Sequence, residues 1–253
     1  MPLTPPKKHH FIQTQDGSTT LFSEFYQEAC HSTYGAKEET LKFYIQNGQL
    51  IKKAQEFWPL NILEIGLGLG LAFELSLQQL ILQNINFKLH YVALEKDLEL
   101  INWAQLNSSS LNQLSWIQVS GQKTTLLRGT SSQFVIDIIH GNARDAVLEF
   151  SHYFPDIIFH LIYQDPFSPP KNPTLWTVEW FDQLKKWSHQ NATLTTYSSS
   201  SCVRKALNET GWAIFEGGGF AKKRSSTIAR LQGQTSPEIL RQLERSPVNS
   251  LHD

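Results

Sequence analysis

The stretch Leu60-Asn61-Ile62-Leu63-Glu64-Ile65-Gly66-Leu67-Gly68-Leu69-Gly70 decides the fold. An apolar, strand-like run broken by one carboxylate leads straight into three glycines at alternate positions, and an apolar helical stretch follows over 71–83. Strand, glycine turn and helix in that order open a nucleotide-binding α/β domain. Residues without a Cβ let the chain turn sharply, bring backbone close to a ligand and seat the helix against the sheet. The spacing GxGxG falls one residue short of the dinucleotide fingerprint GxGxxG, which favours a cofactor without a pyrophosphate over NAD. Glu64, set within the apolar run, is expensive to bury alone. Either a ligand ammonium or a protein lysine or arginine has to answer it.

Outward from this unit, strand and helix signals alternate, which implies a parallel sheet. Strands are expected over 88–95, 134–139, 157–163, 193–197, 212–216 and 225–231, and helices over 143–150, 177–190 and 203–210. With 60–65 that makes about seven strands, a doubly wound, Rossmann-like sheet whose last two strands lie close together in sequence. Residues 1–50 read as a small N-terminal cap, with a short strand over 19–23 after Asp16-Gly17-Ser18 and a helix over 37–45 stopping near Asn47-Gly48. Residues 51–233 form the main domain and 234–253 a polar tail, expected to hold at most one short helix near 238–245 or no fixed structure. The polar, weakly periodic stretch 107–132 reads as a solvated excursion.

Composition narrows the function classes. The chain has 253 residues, 40% of them hydrophobic, and a formal net charge of −1. No global basic field exists, so a nucleic-acid partner would be gripped by local clusters such as Lys7-Lys8-His9-His10 and Lys222-Lys223-Arg224. Two cysteines, Cys30 and Cys202, without CxxC spacing suggest neither a disulfide framework nor a structural zinc site, and scattered histidines offer no metal spacing. No signal peptide and no apolar run of membrane-spanning length is evident, so a soluble protein of the cytoplasm is expected.

In an open parallel sheet the ligand lies beyond the carboxyl ends of the strands. The residues there are Glu64 with Gly66, Gly68 and Gly70, then Glu95, Gly141-Asn142-Ala143, Asp165 and Tyr197-Ser198. A carboxylate such as Glu95 at the end of the second strand can accept both hydroxyls of a ribose. Its bland alternative is a solvated strand-end charge. Asp165 heads the loop Pro166-Phe167-Ser168-Pro169-Pro170-Lys171-Asn172-Pro173-Thr174-Leu175-Trp176, whose prolines fix φ and stiffen it beside the crevice. There Asp165 can accept N–H from an amine, aim its lone pair at an electrophilic methyl and balance charge developing on nitrogen, or simply cap a helix. The loop Gly217-Gly218-Gly219-Phe220-Ala221-Lys222-Lys223-Arg224 offers backbone amides and cations for phosphates, or is a charged hairpin turn.

Taken together, these motifs resemble the MnmC2/MnmD-like family of S-adenosylmethionine-dependent tRNA methyltransferases, which complete 5-methylaminomethyl-2-thiouridine at the wobble position. The resemblance runs from about Asp16 to Leu231, and its most specific string is Asp165-Pro-Phe-Ser-Pro through Lys171-Asn172-Pro173 to Trp176. It implies S-adenosylmethionine along Glu64, Gly66, Gly68 and Gly70, ribose hydroxyls on Glu95, and adenine beside Asn142 and Ala143. Asp165 would hold the acceptor amine. Lys171, Asn172, Trp176, Tyr197, Lys222, Lys223 and Arg224 would meet the tRNA by charge and stacking. Asn142 stands where the family commonly has an acidic residue, and Pro166 where glycine or alanine is usual. The FAD-containing oxidoreductase domain of fused relatives is missing from these residues, so a separate FAD-dependent or tRNA-modifying enzyme is expected to supply the aminomethyl group. Three other readings stay open: a polyamine aminopropyltransferase, a small-molecule amine N-methyltransferase, and a module that senses S-adenosylmethionine or binds RNA without turnover.

Overall fold

The computed structural model describes residues 8–253, apart from the Lys223 side chain. Three short antiparallel strands, β1 (His9–Gln13), β2 (Thr19–Ser23) and β3 (Glu28–Ala29), make a small sheet ahead of helix α1 (Ala36–Thr40). α1 runs on into a π-helical turn, Leu41–Gln46, and α2 (Leu50–Glu56) follows. Then come β4 (Leu60–Ile65), α3 (Leu71–Leu82), β5 (Leu89–Glu95), α4 (Leu98–Asn107), β6 (Trp116–Ser120), β7 (Thr125–Thr130) and β8 (Phe134–His140). α5 (Ala143–Leu148), α6 (Phe150–Tyr153), β9 (Phe159–Gln164), α7 (Val178–Lys186), β10 (Ser188–Thr196), α8 (Ser201–Glu209), β11 (Ala213–Phe220), β12 (Lys223–Arg230) and α9 (Pro237–Arg245) complete the chain.

β4 to β12 form one nine-stranded sheet in the order β11-β12-β10-β9-β4-β5-β8-β7-β6. The inner strands β10, β9, β4, β5 and β8 are parallel, and an antiparallel hairpin closes each edge. Inner strands covered on both faces read as continuous apolar runs, as β4, β5 and β9 do. Alternate residues feed two separate clusters: Leu63, Ile65, Phe159 and Ile162 pack with Trp176, Trp180 and Phe181 on one face. Ile62, Tyr91, Leu161 and Tyr163 pack with Phe43, Tyr44 and Phe73 on the other. Chain order reverses at β4, whose neighbours are β5 on one side and β9 on the other, and this switch point leaves a crevice beyond the carboxyl ends of the strands.

One expectation is corrected and one alternative is decided. The stretch 107–132 is not a solvated excursion, because β6 and β7 extend the sheet. β6 is an edge strand exposed along most of its length, with Ile117 and Val119 left in solvent, so no buried apolar run announces it. In the tail, the short helix expected near 238–245 forms as α9. Ser236 caps α9 by accepting from Ile239 N, Ile239 and Leu243 join the main cluster, and Leu251 bridges Thr177 at the start of α7.

The small sheet is fastened to the larger one. Asp16 accepts from Ser18 N at 2.9 Å, Thr14 Oγ1 at 2.6 Å and Glu38 N at 3.1 Å, which ties the β1–β2 turn to the first turn of α1. His9 Nε2 shares a hydrogen bond of 2.9 Å with Asp97 Oδ2 just after β5. Ser168 N and Oγ both donate to Glu28 Oε2, at 3.1 and 2.8 Å, so β3 holds the proline loop after β9.

Candidate active site

The carboxyl ends of β4, β5, β8 and β9 and one side of the small sheet enclose a cavity of ≈ 740 Å³, within the range of small-molecule sites. Gly66, Leu67 and Gly68 of the first turn line its floor, whereas Gly70, expected beside the cofactor, does not line it. Gly66 has φ +92°, and a Cβ there would come within 2.9 Å of the Asp165 carbonyl oxygen, so the turns after β4 and β9 cross too closely for a side chain. At Gly68, φ +54°, a Cβ would meet nothing within 4 Å, because this residue faces the open cavity. Gly70 is the N-cap of α3.

Each of the carboxylates expected from the sequence lines this cavity. Glu64, 2% exposed, has one hydrogen bond, from the Tyr91 hydroxyl at 2.9 Å. Among the described residues no lysine or arginine pairs with it, so the protein cation that might have answered this charge is not there. Burial pushes its carboxyl well up, the Tyr91 hydroxyl pulls it back, and the charges of Asp165 and Glu95 push it further up. Glu95 accepts from Gly68 N at 3.1 Å and from Asp97 N at 2.9 Å, and so joins the glycine turn to the turn after β5. Burial raises its carboxyl as well, against those two backbone donors.

Asp165 is placed by backbone and side chain together. Its N–H donates to Ile65 O at 3.1 Å, and its Oδ1 accepts from the Tyr44 hydroxyl at 2.5 Å. Tyr44 is 1% exposed, and burial followed by the Asp165 charge pushes its phenol well up, so it stays a donor. Sequence reasoning missed Tyr44. Its spacing is that of an ordinary core position; it lies in the π-helical turn, a feature frequent at functional sites, and reaches the site only through its hydrogen bond to Asp165. Tyr197, half-buried, donates to Pro166 O at 2.9 Å, and the Trp176 indole donates to Phe167 O at 2.9 Å.

Other expected contacts divide. Asn142 is the N-cap of α5, its Oδ1 accepting from Arg144 N at 2.9 Å, and with Ala143 it lines the cavity. Asn172 lines it too, and Lys171 is exposed on the proline loop. Lys222 stands 5.5 Å over the ring of Tyr34, a cavity residue, and Arg224 is exposed nearby in sequence. The Lys223 side chain lies outside the described residues. Trp176 is the correction: it is fully buried between Phe181 and Tyr197, so it cannot stack on RNA. Its indole is the prop under the proline loop instead.

Comparison with known proteins gives this geometry a chemistry. Residues 108–232 match the family described as S-adenosyl-L-methionine-dependent methyltransferase. The chain is 26% identical over 225 residues to the tRNA 5-methylaminomethyl-2-thiouridine biosynthesis bifunctional protein MnmC of Paraburkholderia xenovorans (strain LB400), covering 83% of this chain and 33% of that protein. It is 29% identical over 218 residues to the same-named protein of Pseudoalteromonas translucida (strain TAC 125), covering 78% and 32%. The chain thus spans about a third of the length of these curated relatives. The crystal structure of MnmC2 from Aquifex aeolicus shares its fold, with a TM-score of 0.77, 24% identity, and coverage of 97% of this chain and 79% of that one. Residues 108–232 thus match an S-adenosylmethionine-dependent methyltransferase domain, and the chain is similar to MnmC over most of its own length.

The donor set suits that cofactor. Six carboxylates line the cavity of the methyltransferase, Glu28, Glu39, Glu64, Glu95, Asp97 and Asp165, against two lysines, Lys8 and Lys96. Such a cavity favours a ligand carrying an ammonium and a sulfonium, and Glu64 is a buried carboxylate with lone pairs to spare. Among the described residues no group of histidine, cysteine and acidic side chains can hold a metal, and no helix is long and apolar enough to cross a membrane. Cys30 also lines the cavity, but burial and then the charges of Glu95 and Asp165 push its thiol up, so it is no thiolate nucleophile.

Proposed function

We propose that this methyltransferase acts on the primary amine of a 5-aminomethyl (2-thio)uridine at the wobble position of tRNA, giving 5-methylaminomethyl-2-thiouridine. The observation that carries the reading is Asp165: a carboxylate at the switch point, fixed by Tyr44 and by Ile65 O, at the head of a braced proline loop. Bound S-adenosylmethionine supplies an electrophilic methyl on a sulfonium. Glu64 would take the ammonium of its methionine moiety, Gly66, Gly68 and Gly70 would lie along it, Glu95 would accept from the ribose hydroxyls, and Asn142 and Ala143 would flank adenine. The Asn142 oxygen keeps a second lone pair for the adenine amino group, since capping α5 uses one.

Asp165 accepts an N–H of the acceptor amine, so that the nitrogen lone pair faces the methyl carbon. As the N–C bond forms and the C–S pair returns to sulfur, positive charge appears on nitrogen beside the Asp165 carboxylate. The proton then leaves to Asp165 or to water. A neutral amine is already a nucleophile, so Asp165 orients more than it deprotonates. Lys171, Asn172, Tyr197, Lys222, Lys223 and Arg224 are assigned to the RNA side.

On this reading an FAD-dependent or tRNA-modifying activity provides the aminomethyl group, and the protein works in the cytoplasm. In domain terms, residues 1–50 serve as cap, 51–233 carry transfer and 234–253 brace α7. The test is incubation with S-adenosylmethionine and tRNA carrying or lacking the aminomethyl group, followed by nucleoside mass spectrometry. One methyl gained on the aminomethyl nucleoside alone is expected. Equal methylation of free small amines, or cofactor binding with no transfer, would overturn the reading.

A further inference from the structure

The tip of the β2–β3 hairpin brings two aromatic rings to the mouth of the cavity, and neither cofactor binding nor orientation of the amine employs them. Phe25 is 74% exposed and packs edge-on against Tyr26, ring centroids 4.8 Å apart at 85°. Tyr26 in turn stacks on Phe167, 4.1 Å apart at 22°. All three line the cavity, and Phe167 lies two residues beyond Asp165.

The arrangement is built rather than incidental. Gln27 holds a left-handed φ of +52°, which a residue with a Cβ adopts at some cost, and the turn is closed by Gln27 N donating to Ser23 O at 2.7 Å. Tyr26 N donates to the buried Ser23 hydroxyl. Glu28 clasps Ser168 on the far side, and Phe167 is fixed from below by the Trp176 indole on its carbonyl. Two segments distant in sequence are thus locked so that their rings form one ladder along the wall of the cavity that Asp165 also lines.

Resting on the proposed acceptor, the chemistry of that acceptor supplies the ladder's use. A single methylene separates the reacting nitrogen from the pyrimidine ring. An amine held at Asp165 therefore draws its own base into the cavity mouth, out of the stack it keeps with its neighbours in RNA. We propose that Phe25, Tyr26 and Phe167 form a nucleobase-stacking subsite that receives the extruded acceptor uracil. Aromatic faces replace the forfeited base stacking, which is how enzymes acting on a base commonly accommodate it.

The probe is an anticodon stem-loop with 5-aminomethyluridine at the wobble position, assayed for methyl transfer at saturating S-adenosylmethionine. Tyr26→Ala is expected to raise KM for the stem-loop ~5- to 100-fold, the range for removing one stacking partner, while the cofactor dissociation constant stays unchanged. Tyr26→Trp should restore KM and Tyr26→Leu should not, a split that a merely apolar role would not produce. Tyr26→Leu behaving as wild type would overturn the subsite. Should the Tyr26 variants lose cofactor binding through misfolding, Phe25→Ala at the exposed ring carries the test, and an unchanged KM there overturns it. Wild-type protein that never methylates the stem-loop would refute the proposed acceptor itself and the subsite with it. Active wild type with indifferent ring variants would refute the subsite alone.

Discussion

The cavity and the turn beside it are made differently. The floor, from Glu64 through the glycine turn to Glu95 and Asp165, is buried, joined by backbone hydrogen bonds and short of cations. Outside the cavity lining, the rim at the β11–β12 turn is exposed and cationic, with Lys222 and Arg224 in solvent and Lys222 over the cavity residue Tyr34. Buried charge acts through close placement and is weakly screened, whereas exposed charge steers a polyanion and fades with salt. Floor residues should therefore govern transfer and cofactor affinity, and rim residues RNA affinity alone.

Substitutions can break that division. The largest effect is expected for Asp165→Ala, with transfer slowed ~10²-fold or more and cofactor affinity nearly intact, as when one charge-stabilising group is removed. Stopped-time methyl incorporation beside calorimetric titration would check it, and equal losses in both would move Asp165 from the acceptor to the cofactor.

Glu64→Gln comes next, weakening cofactor binding ~10- to 100-fold, the worth of one hydrogen bond to a charged group. The pH dependence sharpens this. The free Glu64 carboxyl is held well above its ordinary range and so is protonated there, whereas an ammonium partner requires the carboxylate. Affinity should rise with pH up to that raised pKa and level off above it, and below it binding should release a proton that calorimetry in buffers of different ionisation enthalpy detects. The Gln variant should release none.

At the rim, neutralising Lys222, Lys223 and Arg224 together should weaken tRNA binding and shallow its salt dependence by up to ~0.9 log unit for each phosphate that the variant leaves unneutralised. Transfer at saturating RNA should be unaffected. An unchanged salt slope would remove this turn from the RNA surface.

The smallest expected effect belongs to neither region. Burial alone would raise the Asp16 carboxyl, but hydrogen bonds from Ser18, Thr14 and Glu38 outweigh it and hold it well below the usual carboxylate range. A carboxyl depressed by folding stabilises the protein above its unfolded pKa, about 3.9, and that contribution is lost as pH falls toward the folded value. Asp16→Asn should lower the melting temperature at neutral pH and flatten the acid limb of the stability profile, which thermal melts against pH would show.

What could be read from the chain follows the same physics. The seven strands expected over 60–231 each correspond to a strand of the sheet, because buried parallel strands announce themselves as apolar runs. β6 and β7 escaped because β6 is exposed along most of its length and β7 is only partly buried, whereas the short helix read near 238–245 is α9. The site carboxylates were legible from their place at strand ends. Tyr44 was not, since its spacing reads as a core position and only the fold brings its hydroxyl to Asp165, and Trp176 was misread because an aromatic in a proline loop looks the same in sequence whether it faces RNA or the core.

The central claim is that one cavity brings the sulfonium methyl and the acceptor amine together over Asp165. A crystal structure with S-adenosylhomocysteine and 5-aminomethyluridine tests it most directly. The account predicts the ammonium on Glu64, the ribose on Glu95, and the acceptor nitrogen within hydrogen-bond reach of Asp165 on the sulfur side. Nucleoside bound outside the cavity, or an amine turned away from Asp165 with the cofactor in place, would contradict it.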